Sequence, residues 1–591
     1  MSHRSKSPRD TKSEMTSLPA IQVLSLFLCT LFSHCLTGPG SASKSPACRN
    51  IPDSAGYPNA AAWNAFNSTV SGRLVNVVPS AKYCRESVPG GACTDTQWTS
   101  AVFRNTIPGA MEQVNWEQGY DLTPPSLCLQ NGTTCGQGDV PLYSVEAQTV
   151  ADIQAAVKFA STHNLRLVVK SSGHDYLGRS TAPGSLLIRT THLQNISFTD
   201  AFFVGSQNMG SAVTLGSGVP AQSVYQQAKL NGKITVSPVA ATVCNAGGWV
   251  QGAGHSALSP KFGLGADNVL EFYVVVASGE LLQVNSISNP DLFYALRGGG
   301  AGSWGVIVSA TFKTYPTFNA TSSTILLVAS NDSVVGALAT LHAQHIFDLD
   351  SIPGGQYFYF VRNGTAADSA SYLYLNTYLP NTTTSQSTAL LAPFLNASLA
   401  LPGVSILGEQ SSYGDINDAL YQVDDSVGAN EVLGSRLIPA ETYRDPTVVG
   451  EVYRELFSSG TTIIGGHLVA GGQVAENANI YSAVNPAWRS AKTHVLIVNE
   501  WPDATSIEDI DALRKHFQTQ QLPIFEKMSG PDAGSYSNEA DVLEPHFETT
   551  FFGPNYAKLS QIKSKYDPED LFIVGAGVGS ERWDEWGICR I

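Results

Sequence analysis

Val168-Val169-Lys170-Ser171-Ser172-Gly173-His174-Asp175-Tyr176-Leu177-Gly178-Arg179-Ser180 is the stretch that decides how the chain is read. Leu165, Leu167, Val168 and Val169 form a short β-rich run that stops at Ser171-Ser172-Gly173, so a strand passes into a loop carrying His174. Backbone N–H groups in such a loop are not used by a ladder, and at glycine no Cβ blocks close approach. The segment is therefore a candidate cradle for a phosphate or pyrophosphate. Taken alone, Gly173-His174-Asp175 reads more readily as a turn cap.

A second tract shifts that balance. Ala241-Thr242-Val243-Cys244-Asn245-Ala246-Gly247-Gly248-Trp249, followed by Gly252-Ala253-Gly254-His255, is dense in glycine. It has neither the Gly-x-Gly-x-x-Gly of a strand-to-helix dinucleotide turn nor the Lys-Ser/Thr ending of a phosphate loop. Glycines that merely permit tight packing would explain this tract by itself. Two anion-cradling loops in one domain suit a dinucleotide lying extended, its pyrophosphate held by backbone amides.

Working outward, Thr149-Val150-Ala151-Asp152 predicts a helix start, with Ile153, Ala156, Val157 and Ala160 at helical spacing. Strands are predicted at Leu186 to Ile188 and Ala212 to Leu215, a helix at Ala221 to Leu230, and a hairpin from Phe272 to Val284 around Ser278-Gly279. Strands and helices mix without a regular βαβ rhythm, so the fold class is α+β. From about Asn319 polar segments alternate with strands such as Tyr357 to Val361 and Tyr372 to Tyr374, which marks a second domain. From Asn555 to Val574 a helix, a break at Tyr566-Asp567-Pro568 and a short strand are predicted. Residues 44 to about 140 read as a disulfide-stapled entry segment with little regular structure.

The 591 residues exceed one compact core, and 34 Lys plus Arg against 49 Asp plus Glu give a formal charge of -15. No basic stripe exists for a phosphate backbone, so nucleic acid is excluded as a partner. Arg4, Lys6, Arg9 and Lys12 precede an apolar run from about Ala20 to Leu36 and then small residues, the order of a signal peptide cleaved near Ala42 or Ser43. No later stretch is apolar enough to span a bilayer, so no membrane insertion is expected after cleavage. Sequons at Asn67, Asn131, Asn195, Asn319, Asn331, Asn363, Asn381 and Asn396 then become glycan acceptors, and a secreted glycoprotein is expected. Of nine cysteines, Cys29 and Cys35 leave with the signal. Cys84 with Cys93 and Cys128 with Cys135 enclose short loops, and Cys48 is paired with Cys589 as a guess, because spacing does not fix connectivity. Cys244 is left over. The CxxC spacing of a zinc site is absent and no metal is expected.

Lys170 to Asp175 with Gly178-Arg179-Ser180 resembles the flavin-attachment loop of the FAD-linked oxidases of the vanillyl-alcohol oxidase and p-cresol methylhydroxylase superfamily. Within it the chain is most similar to the berberine-bridge-enzyme-like group, especially fungal isoamyl-alcohol-oxidase-like proteins and oxidases of secondary metabolism. The likeness runs through Gly247-Gly248-Trp249, Phe262 to Asn268, Asp291 to Gly300 and Ser303-Trp304-Gly305-Val306-Ile307. It resumes at Tyr536-Ser537-Asn538 and from Gly553-Pro554-Asn555-Tyr556 to Tyr566-Asp567-Pro568. It implies a signal at 1–43, the entry segment at 44–136 and a two-lobed FAD-binding domain at 137–318. A substrate domain on an antiparallel sheet follows at 319–533, and a C-terminal segment at 534–591 folds back onto the FAD domain.

The resemblance further implies FAD bonded covalently through its 8α-methyl carbon to His174. The cofactor would be contacted by Lys170, Ser171, Ser172, Gly173, Asp175, Gly178, Arg179, Ser180, Gly247, Gly248, Trp249, Gly254, His255 and Asn538. Bicovalent members carry a cysteine eight residues before the residue aligned with Trp249; here that position is Ala241. Cys244 lies where the family controls oxygen approach, and a small side chain there favours an oxidase. By offset from Gly471-Gly472 and Asn485 to Arg489, Glu476 is the catalytic carboxylate, with Tyr536 beside the ring; His255 and His467 are further candidates that read more readily as structural. The expected activity is oxidation of an alcohol or biosynthetic intermediate, hydride passing to FAD and then to O2 to give H2O2. The rivals are a flavin dehydrogenase with another acceptor, a secreted alcohol or carbohydrate oxidase, and a flavin-free glycosylated binding protein.

Overall fold

The computed structural model describes residues 48–364 and 369–591, so the signal peptide expected at 1–43 lies outside the described residues. Thr149 caps the helix Val150–Thr162 reciprocally with Asp152, and Ile153, Ala156, Val157 and Ala160 form its buried face. The strand Leu167–Lys170 follows, in a four-stranded sheet ordered Leu74–Asn76, Tyr143–Glu146, Leu186–Arg189, Leu167–Lys170. Its last three strands are parallel, and Leu74–Asn76 is antiparallel to Tyr143–Glu146. A second, antiparallel sheet is ordered Ile196–Val204, Gln207–Gly216, Val306–Lys313, Val269–Val275, Leu281–Asn285, with Ser278-Gly279 turning the predicted hairpin. The loops after Leu167–Lys170 and before Val269–Val275 carry the two glycine-rich tracts.

The third sheet is the floor of a separate layer. Its seven antiparallel strands are ordered Val404–Asp415, Asn319–Ala329, Ser371–Pro380, Gly355–Arg362, Ile463–Leu468, Ala491–Trp501, Asn430–Pro439. Side chains alternate across a strand, and the alternation sorts chemistry here. Phe358, Phe360, Leu373, Leu375, Ile464, Val495 and Ile497 enter an apolar core with the helices Asp332–Gln344, Pro446–Ser458 and Leu522–Ser529. The intervening Tyr357, Tyr359, Tyr374, Asn376, His467, Leu496 and Val498 line a cavity on the opposite face.

Two expectations are corrected. Residues 44 to 136 hold more regular structure than their composition indicates: helices Ala60–Thr69 and Ser80–Ser87, and the strand Leu74–Asn76. Trp63 and Phe66 bury one face of the first helix, and Phe66 stacks on Phe159 at 4.1 Å. After Tyr556–Tyr566 the expected short strand is replaced by a turn, because the N–H groups of Leu571 and Phe572 donate to the Asp567 carboxylate at 2.8 Å each instead of to a ladder. The disulfides are Cys84–Cys93, Cys128–Cys135 and Cys48–Cys589, and Cys244 is free and buried. No described helix is long and apolar enough to cross a membrane.

The entry segment is organised around a buried ion pair. Arg104 donates to Glu117 Oε1 at 2.6 Å, and Glu117 also accepts from the N–H groups of Met111 at 3.0 Å and Ser80 at 2.7 Å. Burial pushes the nearby Glu112 carboxyl up to about 8, and it lies 3.9 Å from Arg104, so Glu117 at 2.6 Å is the closer partner. Removing one member of a buried pair leaves the other uncompensated. Glu117→Ala is expected to destabilise the protein by about 3–5 kcal/mol, measured by denaturant unfolding, while Lys82→Ala in the exposed pair with Glu86 changes stability by less than about 0.5 kcal/mol.

Candidate active site

Asp175 fixes the His174 loop. Its carboxylate accepts from Arg179 Nε at 2.9 Å and from the Ser180 N–H and hydroxyl at 2.6 and 2.7 Å, so it braces the turn and has little left for a ligand. Gly178 is required by contact as well as by its φ of +68°: a Cβ there would lie 2.4 Å from the Trp116 ring. Arg179 reaches onward to the Ser537 carbonyl at 3.1 Å and Asn538 Oδ1 at 3.3 Å. Asn538 donates to the Trp249 carbonyl at 3.0 Å and to the Tyr536 hydroxyl at 2.9 Å, and packs where a Gly252 Cβ would sit. The attachment-like loop, the second glycine tract and the C-terminal segment therefore meet at one point.

Beneath them is a narrow cleft of about 70 Å³ lined by Ser171, Gly173, His174, Arg179, Ser180, Ser217, Gly247, Gly248, Gln251, Gly302 and Gly305. Ser217 Oγ and Gln251 Oε1 are buried in it without partners among the described residues. A Cβ at Gly247 would come within 2.5 Å of Ser171 Oγ. Free polar atoms and bare backbone in a cleft suit a pyrophosphate. The cleft and a cavity of about 810 Å³ share Ser171, His174, Arg179 and Gly248. The cavity adds Ser172, Cys244, Trp249, His255, Tyr536, Asn538 and Glu539 from the FAD side and the tyrosines of the seven-stranded sheet.

At the junction, His174 Nε2 faces Thr242 Oγ1 at 2.5 Å and Asp425 Oδ2 at 3.6 Å, which leaves Nδ1 as the other reactive nitrogen. Burial holds the imidazole below its usual pKa, against the opposing pull of Asp425 and Asp424. Asp425 also accepts from the N–H groups of Ala241 at 2.8 Å and Thr242 at 3.0 Å. Cys244 is buried beside Ser171 and Ser172, and burial pushes its thiol up to about 12, so it is a neutral thiol.

Deeper in the cavity, His255 Nε2 lies 3.0 Å from Glu539 Oε1 and its Nδ1 faces the Tyr357 hydroxyl at 3.3 Å. His467 and His494 oppose each other across neighbouring strands, Nδ1 to Nδ1 at 3.2 Å, and His467 Nε2 faces the Tyr359 hydroxyl at 3.2 Å. Burial alone would raise the Glu539 carboxyl, but its closeness and hydrogen bond to His255, with His467 beside it, hold it below the ordinary range. Burial drives His467 and His494 well below theirs and raises the phenols of Tyr357, Tyr359 and Tyr536.

Four sequence candidates line neither space: Gly178 and Gly254 make room for the rings of Trp116 and Trp249, and Lys170 and Glu476 lie elsewhere. Lys170 turns away from the cavity and donates to the carbonyls of Pro108 and Ala110 at 2.5 and 2.7 Å, tying the entry segment to the sheet. Glu476 is exposed at the end of the short helix Gly472–Glu476, whose Val474 is the buried residue, and it does not line the cavity. Glu539, three residues beyond Tyr536, does line it, together with Glu112, Asp424, Asp425, Glu431 and Glu500. His494 and Asp425 were not identified from sequence either: the first needs the pairing of two strands, the second the docking of the 424–428 loop against Ser100 and Val102.

Comparison with known proteins agrees with this geometry. Residues 141–285 match the family described as FAD binding domain and residues 535–579 that described as berberine and berberine like. The chain is 37% identical to an uncharacterized FAD-linked oxidoreductase of Arthroderma benhamiae, covering 93% of this chain and 97% of that one. It is 32% identical to the FAD-linked oxidoreductase patO of Aspergillus clavatus, covering 95% and 97%. The crystal structure of the VAO-type flavoprotein MtVAO615 from Myceliophthora thermophila C1 superposes with a TM-score of 0.80 at 30% identity, covering 92% of this chain and all of that one.

Because Asp175 holds three donors of the loop, Asp175→Ala leaves them to find other partners at a cost of about 1–3 kcal/mol. The flavin content of the purified variant, read from visible absorbance against that at 280 nm, is expected to fall severalfold, with His516→Ala as a surface control that keeps it.

Proposed function

The chain belongs to the berberine-type FAD-linked oxidoreductases, and from that premise we propose that it is an oxidase carrying FAD covalently on His174 and oxidising a small-molecule alcohol or biosynthetic intermediate. The supporting observation is that the cleft and the cavity share the walls at Ser171, His174, Arg179 and Gly248, and that the cavity is also lined by the Glu539–His255 pair. FAD held there would accept a hydride from the substrate carbon and pass both electrons to O2, releasing H2O2. Ser171, Gly247, Gly248, Ser217 and Gln251 would hold the pyrophosphate, and Asn538 and Tyr536 would back the ring.

The remaining work falls to the protein's own side chains. The substrate hydroxyl gives its proton to the Glu539 carboxylate, with His255 as the adjoining partner at 3.0 Å. Tyr357, Tyr359 and Tyr536 keep their phenolic protons and orient the substrate oxygen as donors. The tyrosines of the third sheet give the cavity an aromatic wall that suits a ring-bearing metabolite. That wall favours a secondary-metabolite substrate over a sugar. Secretion fits as well: of the eight sequon asparagines, six are exposed and Asn67 and Asn331 half-buried, and three disulfides require an oxidising route.

Attachment at His174 is supported by the engagement of Nε2 by Thr242 and Asp425, and by burial that favours the neutral ring, whose Nδ1 then carries a lone pair. Acid precipitation of the wild type should carry the yellow colour into the pellet, and His174→Ala should leave it in the supernatant. Colour retained by His174→Ala and lost by Cys244→Ser would place the bond on the thiol instead.

Cys244 lines the cavity beside the attachment loop, where a larger side chain would fill the space through which O2 approaches. Reduced wild-type flavin should reoxidise in air within seconds with release of H2O2. Cys244→Leu should slow reoxidation by about 10-fold or more, timed by stopped-flow absorbance, with anaerobic reduction nearly unchanged. Reduced wild-type flavin that persists for minutes in air would make the protein a dehydrogenase with another acceptor.

A further inference from the structure

We propose that His255, His467, His494 and Glu539 form a binding site for a divalent zinc-class ion. One ligand atom from each residue lies within 4.8 Å of all the others. The separations are 3.0 Å from His255 Nε2 to Glu539 Oε1, 3.2 Å between the Nδ1 atoms of His467 and His494, and 3.5 and 3.7 Å from those atoms to Glu539 Oε2. A tetrahedron built on bonds of about 2.0–2.1 Å has edges of roughly 3.3 Å; the three edges among Glu539 Oε2 and the Nδ1 atoms of His467 and His494 lie near that, and His255 completes the set within 4.8 Å.

Hydrogen bonding alone leaves the cluster incomplete. Glu539 Oε2, which faces the Nδ1 atoms of His467 and His494, is buried with no hydrogen-bond partner among the described residues, and His494 is 0% exposed. A cation at the centre would take Glu539 Oε2 together with the inward Nδ1 lone pairs of His467 and His494. The outward nitrogens of two rings already face hydroxyls, His255 Nδ1 at Tyr357 and His467 Nε2 at Tyr359, the arrangement that fixes a ligating tautomer. Three imidazoles and one carboxylate select zinc and its first-row neighbours over magnesium or calcium, which prefer all-oxygen sites.

Four protein ligands close a tetrahedral site, so the ion has no vacant position for substrate. It would join the FAD side through His255, two strands of the substrate sheet through His467 and His494, and the C-terminal segment through Glu539. It would also occupy the lone pairs assigned to proton acceptance, so zinc should inhibit flavin reduction by a substrate. That consequence rests on the oxidase reading; binding of the ion does not.

The test is elemental analysis of the full-length holoprotein, treated with EDTA, dialysed and equilibrated with micromolar ZnCl2. About one zinc per chain is expected in the wild type, with unchanged flavin absorbance, and at least a 10-fold weaker zinc affinity in His494→Ala and Glu539→Gln. A wild type that takes up no more zinc than His494→Ala would overturn the proposal. Should the variants fail to fold, crystals of the wild type soaked in zinc decide it: an anomalous peak among the four side chains supports the site, and its absence there rejects it. His174→Ala stripped of its unattached flavin should still bind zinc, which separates failure of the metal site from failure of the flavin reading.

Discussion

Asn538 is the constraint on which the site depends, because it closes contacts that the chain order keeps far apart. Its amide donates to the Trp249 carbonyl and the Tyr536 hydroxyl while its oxygen accepts from Arg179, so segments near residues 179, 249 and 538 are fixed together. Glycine at 252 makes room for this side chain, and a Cβ there would approach within 2.5 Å. A residue so placed must be brought back from the far end of the chain. The Lys563 ammonium serves that return: it is fully buried and donates to the carbonyls of Ser303 at 2.8 Å and Phe572 at 2.5 Å and to Asp567 at 2.6 Å. The Cys48–Cys589 bridge joins the two ends of the described chain.

The substrate side is built by a simpler rule. A strand presents alternate residues to opposite faces, so one sheet can pack a Phe, Leu and Ile core against helices and offer tyrosine and histidine to a cavity at the same time. Register then decides which cavity residues meet. Tyr357 pairs with His467, and His467 with His494, so the two imidazoles face each other across adjacent strands. A shift of one residue would turn either histidine into the apolar core.

The fold was legible where a signal is local. The capped helix at Val150–Thr162, the Ser278-Gly279 hairpin, the helix Ala221–Leu230 and the small-residue loop at His174 are each announced by neighbours in sequence. The family motifs added the lobes and the C-terminal return, and the disulfide pairing, offered as a guess, is the one the structure contains. The legible part of the site ends where a residue's surroundings come from elsewhere. Lys170 stands inside the attachment motif, yet its side chain leaves the strand toward the entry segment, and no local pattern says so. Glu476 was placed by offset in a region of altered spacing, whereas Glu539 follows directly on Tyr536-Ser537-Asn538, one residue further.

The buried cluster at the junction of these layers is hard to explain by stability. Three imidazoles and a carboxylate withdrawn from water lose hydration that their mutual hydrogen bonds only partly replace, and unpaired buried polar atoms add about 1–3 kcal/mol each. Apolar side chains of similar volume would pack such a space at lower cost. Local inconsistency of this kind is expected where function sets the residue, as at Arg104 and Glu117 it is not, since there every charge has a partner and the pair organises the segment around it. The polar atoms at His255, His467, His494 and Glu539 instead come within 4.8 Å of one another beside the cavity, from the FAD side, two neighbouring strands and the C-terminal segment. Convergence of donors and acceptors from independent elements on shared space is what a bound proton, ion or substrate oxygen requires, and packing alone does not generate it.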